Sequence, residues 1–170
     1  EPVRTTNYIT FHNTIDTGKD DYYPIIIPTI INKDTGMLNK TDHFAYVIGY
    51  PDGTVHPNGQ ITRAEVATIF FRLLRDEVRD GAFTTSNTYS DVAYGKWYNN
   101  PISTMSALGI ITGYPDGTFK PNKPITRAEF AAIAARFDET QSGKSATFSD
   151  VIGHWAAKEI GIAYYNDWIK

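Results

Sequence analysis

The sequence predicts a mainly α protein built from tandem helical repeats, with an extended or β segment at its N-terminus. Three observations carry this. Residues 49–65, GYPDGTVHPNGQITRAE, return as residues 113–129, GYPDGTFKPNKPITRAE, identical at 13 of 17 positions and offset by 64. Self-similarity of that extent marks a repeat array. Each copy ends in Ile-Thr-Arg-Ala-Glu followed by apolar residues at helical spacing. A second recurring piece, an aromatic residue followed by Ser-Asp-Val, leads to Trp97 from Tyr89 and to Trp155 from Phe148.

In chain order, residues 1–36 stand apart. Two runs rich in aromatic and β-branched residues, 8–11 and 22–31, flank a turn at 18–21, which reads as extended structure or a hairpin. Pro24 and Pro28 demote the second run to an edge strand or connector. This segment is expected to be a linker or the end of an upstream β domain. The first Gly-Tyr-Pro-Asp-Gly-Thr turn follows, its Pro-Asp-Gly core being strong β-turn chemistry. Thr62 and Glu65 then match a capping box. Val66, Ile69, Phe70, Leu73 and Leu74 recur at the spacing of an amphipathic helix of about three turns. The second copy repeats this from Thr126, with Phe130, Ile133, Ala134 and Phe137 on the expected buried stripe and alanines elsewhere, which invite a neighbouring helix close. Between these lies the other recurring piece. Ser90-Asp91 and Ser149-Asp150 read as helix N-caps, each opening a short helix that carries its tryptophan. After Trp97 that helix is predicted to run through Ile102, Met105 and Leu108 and to stop at Gly109.

Composition narrows the function classes. The 170 residues carry a net charge of −3, so no basic field recruits nucleic acid or an anionic membrane. No cysteine is present, which removes disulfides, thiolate catalysis and cysteine metal sites. The longest apolar run, residues 25–31, is too short to span a bilayer. The four histidines show no metal spacing, no Ser-His-Asp order can be assembled, and Pro-Asp-Gly-Thr holds too few carboxylates for a calcium loop. The expected protein is therefore neither an enzyme nor a metal or cofactor carrier. Glu1 in place of methionine is expected of a trimmed or excised chain.

The Gly-Tyr-Pro-Asp-Gly-Thr turn, Pro-Asn, Ile-Thr-Arg-Ala-Glu and the aromatic-Ser-Asp-Val piece with its tryptophan together resemble the S-layer homology repeat. On that pattern residues 37–88 form a first repeat whose front helix is missing or replaced by Asp42-His43-Phe44-Ala45-Tyr46, and residues 89–147 a complete second one. Residues 148–170 form the front half of a third. Sixteen residues separate Trp97 from Gly113, and the same count from Trp155 puts the next turn at position 171, just past the chain given. The resemblance implies a pseudo-threefold bundle. It also implies an extracellular location in the cell wall or S-layer, and non-covalent anchoring of a surface protein to an acidic secondary cell-wall polymer bearing pyruvylated sugars.

The candidate site residues follow from both lines. Arg63 and Arg127 occupy the first position after a Thr cap, where a cation opposes the helix dipole. Helix formation does not ask for arginine there, whereas an anion docked at the helix N-terminus would explain it. The alternative is a salt bridge to Asp52 or Asp116 of the preceding turn. Glu65 and Glu129 are accounted for by capping. Asp52 and Asp116 serve their turns or touch sugar hydroxyls; Gly53 and Gly117 satisfy positive φ, while Gly49 and Gly113 leave room for a ligand beside the backbone. Trp97, Trp155, Tyr50 and Tyr114 offer either faces for sugar rings or packing between repeats, and both readings stay open. The expected partner is cell-wall polysaccharide. A competing reading is self-association, through an apolar face of the third repeat formed by Ile162, Tyr164, Tyr165, Trp168 and Ile169.

Overall fold

The computed structural model describes residues 36–40, 45, 47–138 and 148–170. The predicted extended segment therefore lies outside the described residues except for Gly36, as does most of the stretch 42–46. Five helices occur among the described residues: α1 (Arg63–Leu73), α2 (Asp76–Gly81), α3 (Asn99–Ala107), α4 (Arg127–Ala135) and α5 (Ala157–Tyr165). Strand pairing among them is limited to two isolated antiparallel bridges, Leu38 with Leu74 and Thr62 with Pro124. The protein is mainly α, as the periodicity predicts.

Helices α1 and α4 start where the capping boxes place them. Thr62 and Thr126 accept from the amides of Glu65 and Glu129, and each glutamate reaches back to its threonine's backbone. A box of this kind contributes about 1 kcal/mol to the helix it opens. Helix α2 has no side-chain cap and no apolar period, so the sequence pattern did not reveal it.

Two expectations fail in an informative way. Residues 90–98 form turns rather than helix, so Trp97 and Trp155 precede α3 and α5 instead of lying within them. Asp91 caps nothing. Its two carboxylate oxygens accept instead from the backbone amides of Phe119 and Lys120, each at 2.8 Å. A carboxylate can satisfy either local or distant amides, and here the distant pair, presented by a loop bent through positive φ at Lys120, takes it. Phe130, expected inside, is 45% exposed, while Ala131, Ala132 and Ala135 are buried. The alanine face is the one that receives α5, since small side chains let two helix backbones approach.

Packing is pairwise and sequential. Helix α3 lies on α1, and α5 lies on α4. The main core joins Ala64, Val66, Ala67 and Leu74 from α1 with Ile102 and Met105 from α3 and Ile110, Ile111 and Phe119 from the loop beyond. A second cluster joins Ala131 of α4 to Val151, Ala156, Ile160 and Ala163. Ile162 is buried, whereas Tyr164, Tyr165 and Trp168 remain at least 40% exposed. The apolar face expected of residues 162–169 is thus only partly open.

Candidate functional site

The two turn loops have one conformation. Gly53 and Gly117 sit at φ +80° and +78°, and His56 and Lys120 at +50° and +58°. Tyr50 and Tyr114 donate their amides to the carbonyls of Thr54 and Thr118 at 2.8 and 2.7 Å. Asp52 accepts from the amide and hydroxyl of Thr54, and Asp116 does the same for Thr118. Those bonds lower both carboxyl pKa values. For Asp116 the Thr118 hydroxyl is the chief cause, with Lys120 and the Thr118 amide adding to it, and the value falls to about 2. Both aspartates are committed to their turns.

The two arginines, alike in sequence, differ in environment. Arg63 is 6% exposed and every arm of its guanidinium is engaged. Nε donates to the carbonyl of Phe119 at 2.8 Å, one terminal nitrogen to the carbonyl of Thr112 at 3.1 Å, and the other to Glu129 Oε1 at 3.1 Å. The guanidinium carbon lies 4.8 Å from the ring centre of Tyr114 and 4.5 Å from that of Phe119, a cation–π arrangement on both sides. Its salt-bridge partner is neither Asp52 nor Asp116 but Glu129 of the other copy. The first amides of α1 are taken as well, Arg63 by the carbonyl of Lys123 and Ala64 by that of Pro121. Arg63 is thus a latch between the copies, gripping the second loop. Tyr114 completes the cluster by donating its hydroxyl to Glu129. Burial pushes the Glu129 pKa up, but the hydrogen bonds from Tyr114 and Thr126 and the charge of Arg63 outweigh it, so the net shift is downward.

Gly113 belongs to the same junction. A Cβ there would lie 2.3 Å from the Tyr89 ring and 2.6 Å from the Thr118 carbonyl, so the space beside it is filled by this chain. Gly49 meets only the Thr54 carbonyl closely, at 2.9 Å.

Arg127 is exposed and lines a cleft of about 750 Å³ together with Phe130, Phe148, Asp150, His154 and Trp168. No hydrogen bond or ion pair engages Arg127 among the described residues. A second groove, of about 380 Å³, runs between the first loop and α1. It gathers Gly49, Tyr50 and Trp97 from the expected site residues and adds Gln60, Thr68 and Arg72. Trp97 is 61% exposed and Trp155 62%, so neither tryptophan is core packing. Trp155 stands outside the larger cleft, beside His154. Arg72 went unnoticed in the sequence because a cation in the last turn of a helix is what the dipole favours anyway; its spacing from Glu65 and Thr68, two turns and one turn along one face, was the available signal.

Among the described residues no cluster of His, Asp or Glu could hold a metal ion, and no helix is long and apolar enough to cross a membrane. Residues 45–67 and 88–131 match the S-layer homology domain. The chain is 44% identical over 131 residues to cell surface glycoprotein 1 of Acetivibrio thermocellus, covering 70% of this chain and 6% of that protein. It is 37% identical over 136 residues to the cellulosome-anchoring protein of the same organism, covering 76% and 30%, and 32% identical over 120 residues to the S-layer protein of Bacillus licheniformis, covering 68% and 13%. A helical repeat module in which the loop of one copy is latched to the helix of the copy before it is the class that fold and junction define. The chain belongs to the S-layer homology family, and its place is extracellular, in the bacterial cell wall or S-layer.

Proposed function

We propose that this module anchors a surface protein non-covalently to the cell wall by holding an acidic, pyruvylated secondary wall polymer in the groove of Tyr50, Trp97 and Arg72. The observation that carries this reading is Trp97, an indole 61% exposed at the edge of a groove that also holds an arginine without a partner among the described residues. An exposed indole offers its face to a sugar ring. A guanidinium nearby suits a carboxylate through paired hydrogen bonds, and Thr68 and Gln60 supply groups for hydroxyls. The carboxylate is assigned to Arg72 rather than Arg63, which is buried and has each guanidinium nitrogen engaged, by Phe119, Thr112 or Glu129. The relative named for cellulosome anchoring supports the anchoring role.

On the same reading α1 and α4 belong to a pseudo-threefold bundle of three repeats, with boundaries near residues 37, 89 and 148. The module itself carries no catalysis. Titrating the protein with purified wall polymer, before and after removal of the acidic groups, tests the reading. Binding that is lost with those groups and in Trp97→Ala supports it. Equal affinity for both polymers would sink the carboxylate contact.

A further inference from the structure

The groove of Tyr50, Trp97 and Arg72 carries one more ionisable side chain on its loop wall. From its place we propose that His56 is a second anion-binding group of that groove, a cation only when protonated. The role rests on the polymer reading and adds to it that the hold on an acidic polymer tightens as pH falls.

With His56 neutral, the charges of the groove cancel. Among the described residues its charged lining consists of Glu65 and Arg72, both on α1. Tyr50 stays neutral, because the charge of Glu65, chiefly, raises its hydroxyl pKa above the ordinary 10.0. Asp52 belongs to the loop but not to the lining, and its carboxylate is taken by the amide and hydroxyl of Thr54. Lys96, next to Trp97, also lies outside the lining. The guanidinium of Arg72 must therefore attract a polyanion against the repulsion of Glu65. A proton on His56 leaves the lining with one positive charge in excess, and that charge sits on the loop wall, opposite in kind to the helix wall of Arg72. An imidazole takes up its proton across the range from about pH 8 to about pH 5. Carboxyl groups on the polymer titrate lower, so the polymer keeps its charge while the groove gains one.

The other copy shows a permanent cation at this position. His56 corresponds to Lys120 at the offset of 64, and the two adopt φ +50° and +58°. The backbone shape that turns Lys120 onto Tyr114 turns His56 onto Tyr50. The Lys120 ammonium lies 4.3 Å from the ring centre of Tyr114, and the imidazole centre lies 4.5 Å from that of Tyr50, with the rings perpendicular. A cation beside a tyrosine ring is favoured electrostatically, so the place suits the protonated imidazole. Lys120 also pairs with exposed Asp116 at 3.0 Å. The latched loop thus carries a fixed charge, and the open loop a titratable one.

Binding of the purified acidic wall polymer, measured at steps from about pH 8 to about pH 5, is the test. Wild type is expected to bind about two- to fivefold more tightly at the acid end, the scale of one exposed charge pair. His56→Asn is expected to hold the weaker value throughout, and His56→Lys the tighter one throughout. Both variants should fold with unchanged circular dichroism, since Lys120 itself adopts this conformation and asparagine enters the left-handed region readily. Wild-type affinity that does not change with pH overturns the proposal, as does a pH response that survives in His56→Asn. Either result, with binding still lost in Trp97→Ala, leaves the polymer reading standing. Equal affinity for polymer with and without its acidic groups ends both.

Discussion

Arg63 and Arg127 occupy the same place in two copies of one motif, follow the same threonine cap and precede the same glutamate. One is closed in by a loop from the next copy and makes three hydrogen bonds, one of them an ion pair, and two ring contacts; the other borders an open cleft. Local sequence is identical, so the difference comes wholly from what the chain places opposite. A cation at a helix N-terminus is unfavourable by the helix dipole, and at Arg63 the charge of Glu129 and two carbonyl dipoles offset that cost. The repeated arginine is first of all a device for joining neighbours.

This contrast can be broken at several points. Arg63→Ala removes one partner of a nearly buried ion pair and is expected to cost about 3–5 kcal/mol, while Arg127→Ala, at an exposed position, should change stability by less than about 0.5 kcal/mol. Urea unfolding of the two variants checks both figures. Asp91→Ala leaves two loop amides without their acceptor and should cost about 2–3 kcal/mol, against no measurable loss for Asp150→Ala by the same method. Gly113→Ala forces a methyl into the Tyr89 ring and should cost about 1–3 kcal/mol. Gly49→Ala should cost less, and thermal unfolding will rank the pair.

The smallest effect is a pH dependence. Glu129 has a folded-state pKa below its ordinary 4.5, so its contribution is fully present above that value and is lost as pH falls through the folded pKa. Glu129→Gln should flatten the decline of stability below pH 4.5, which acid unfolding followed by circular dichroism will show.

Much of the fold was legible in the sequence because its signals are local. The capping boxes at Thr62 and Thr126, the positive-φ glycines at 53 and 117, and the stop at Gly109 all act within a few residues. What was not legible depends on partners far along the chain. Asp91 looked like a helix cap because Ser-Asp before an apolar run usually is one, and nothing local shows that amides 28 and 29 residues away will claim it. Phe130 looked buried by period, but the small alanines beside it let α5 come closer than a phenylalanine face would allow. At the site, Arg63 meets neither the docked anion expected of both arginines nor the alternative aspartate of the adjacent turn, because its carboxylate partner lies 66 residues away. Arg72 was passed over because helix electrostatics already accounted for it.

Amide hydrogen exchange tests most directly whether one loop is latched and the other open. The amides of Phe119 and Lys120, held by Asp91 beneath Arg63, are predicted to be strongly protected, those of Val55 and His56 to exchange nearly as fast as an open loop, and Arg63→Ala to abolish the difference. Equal exchange at the two pairs in the wild-type protein would contradict the account.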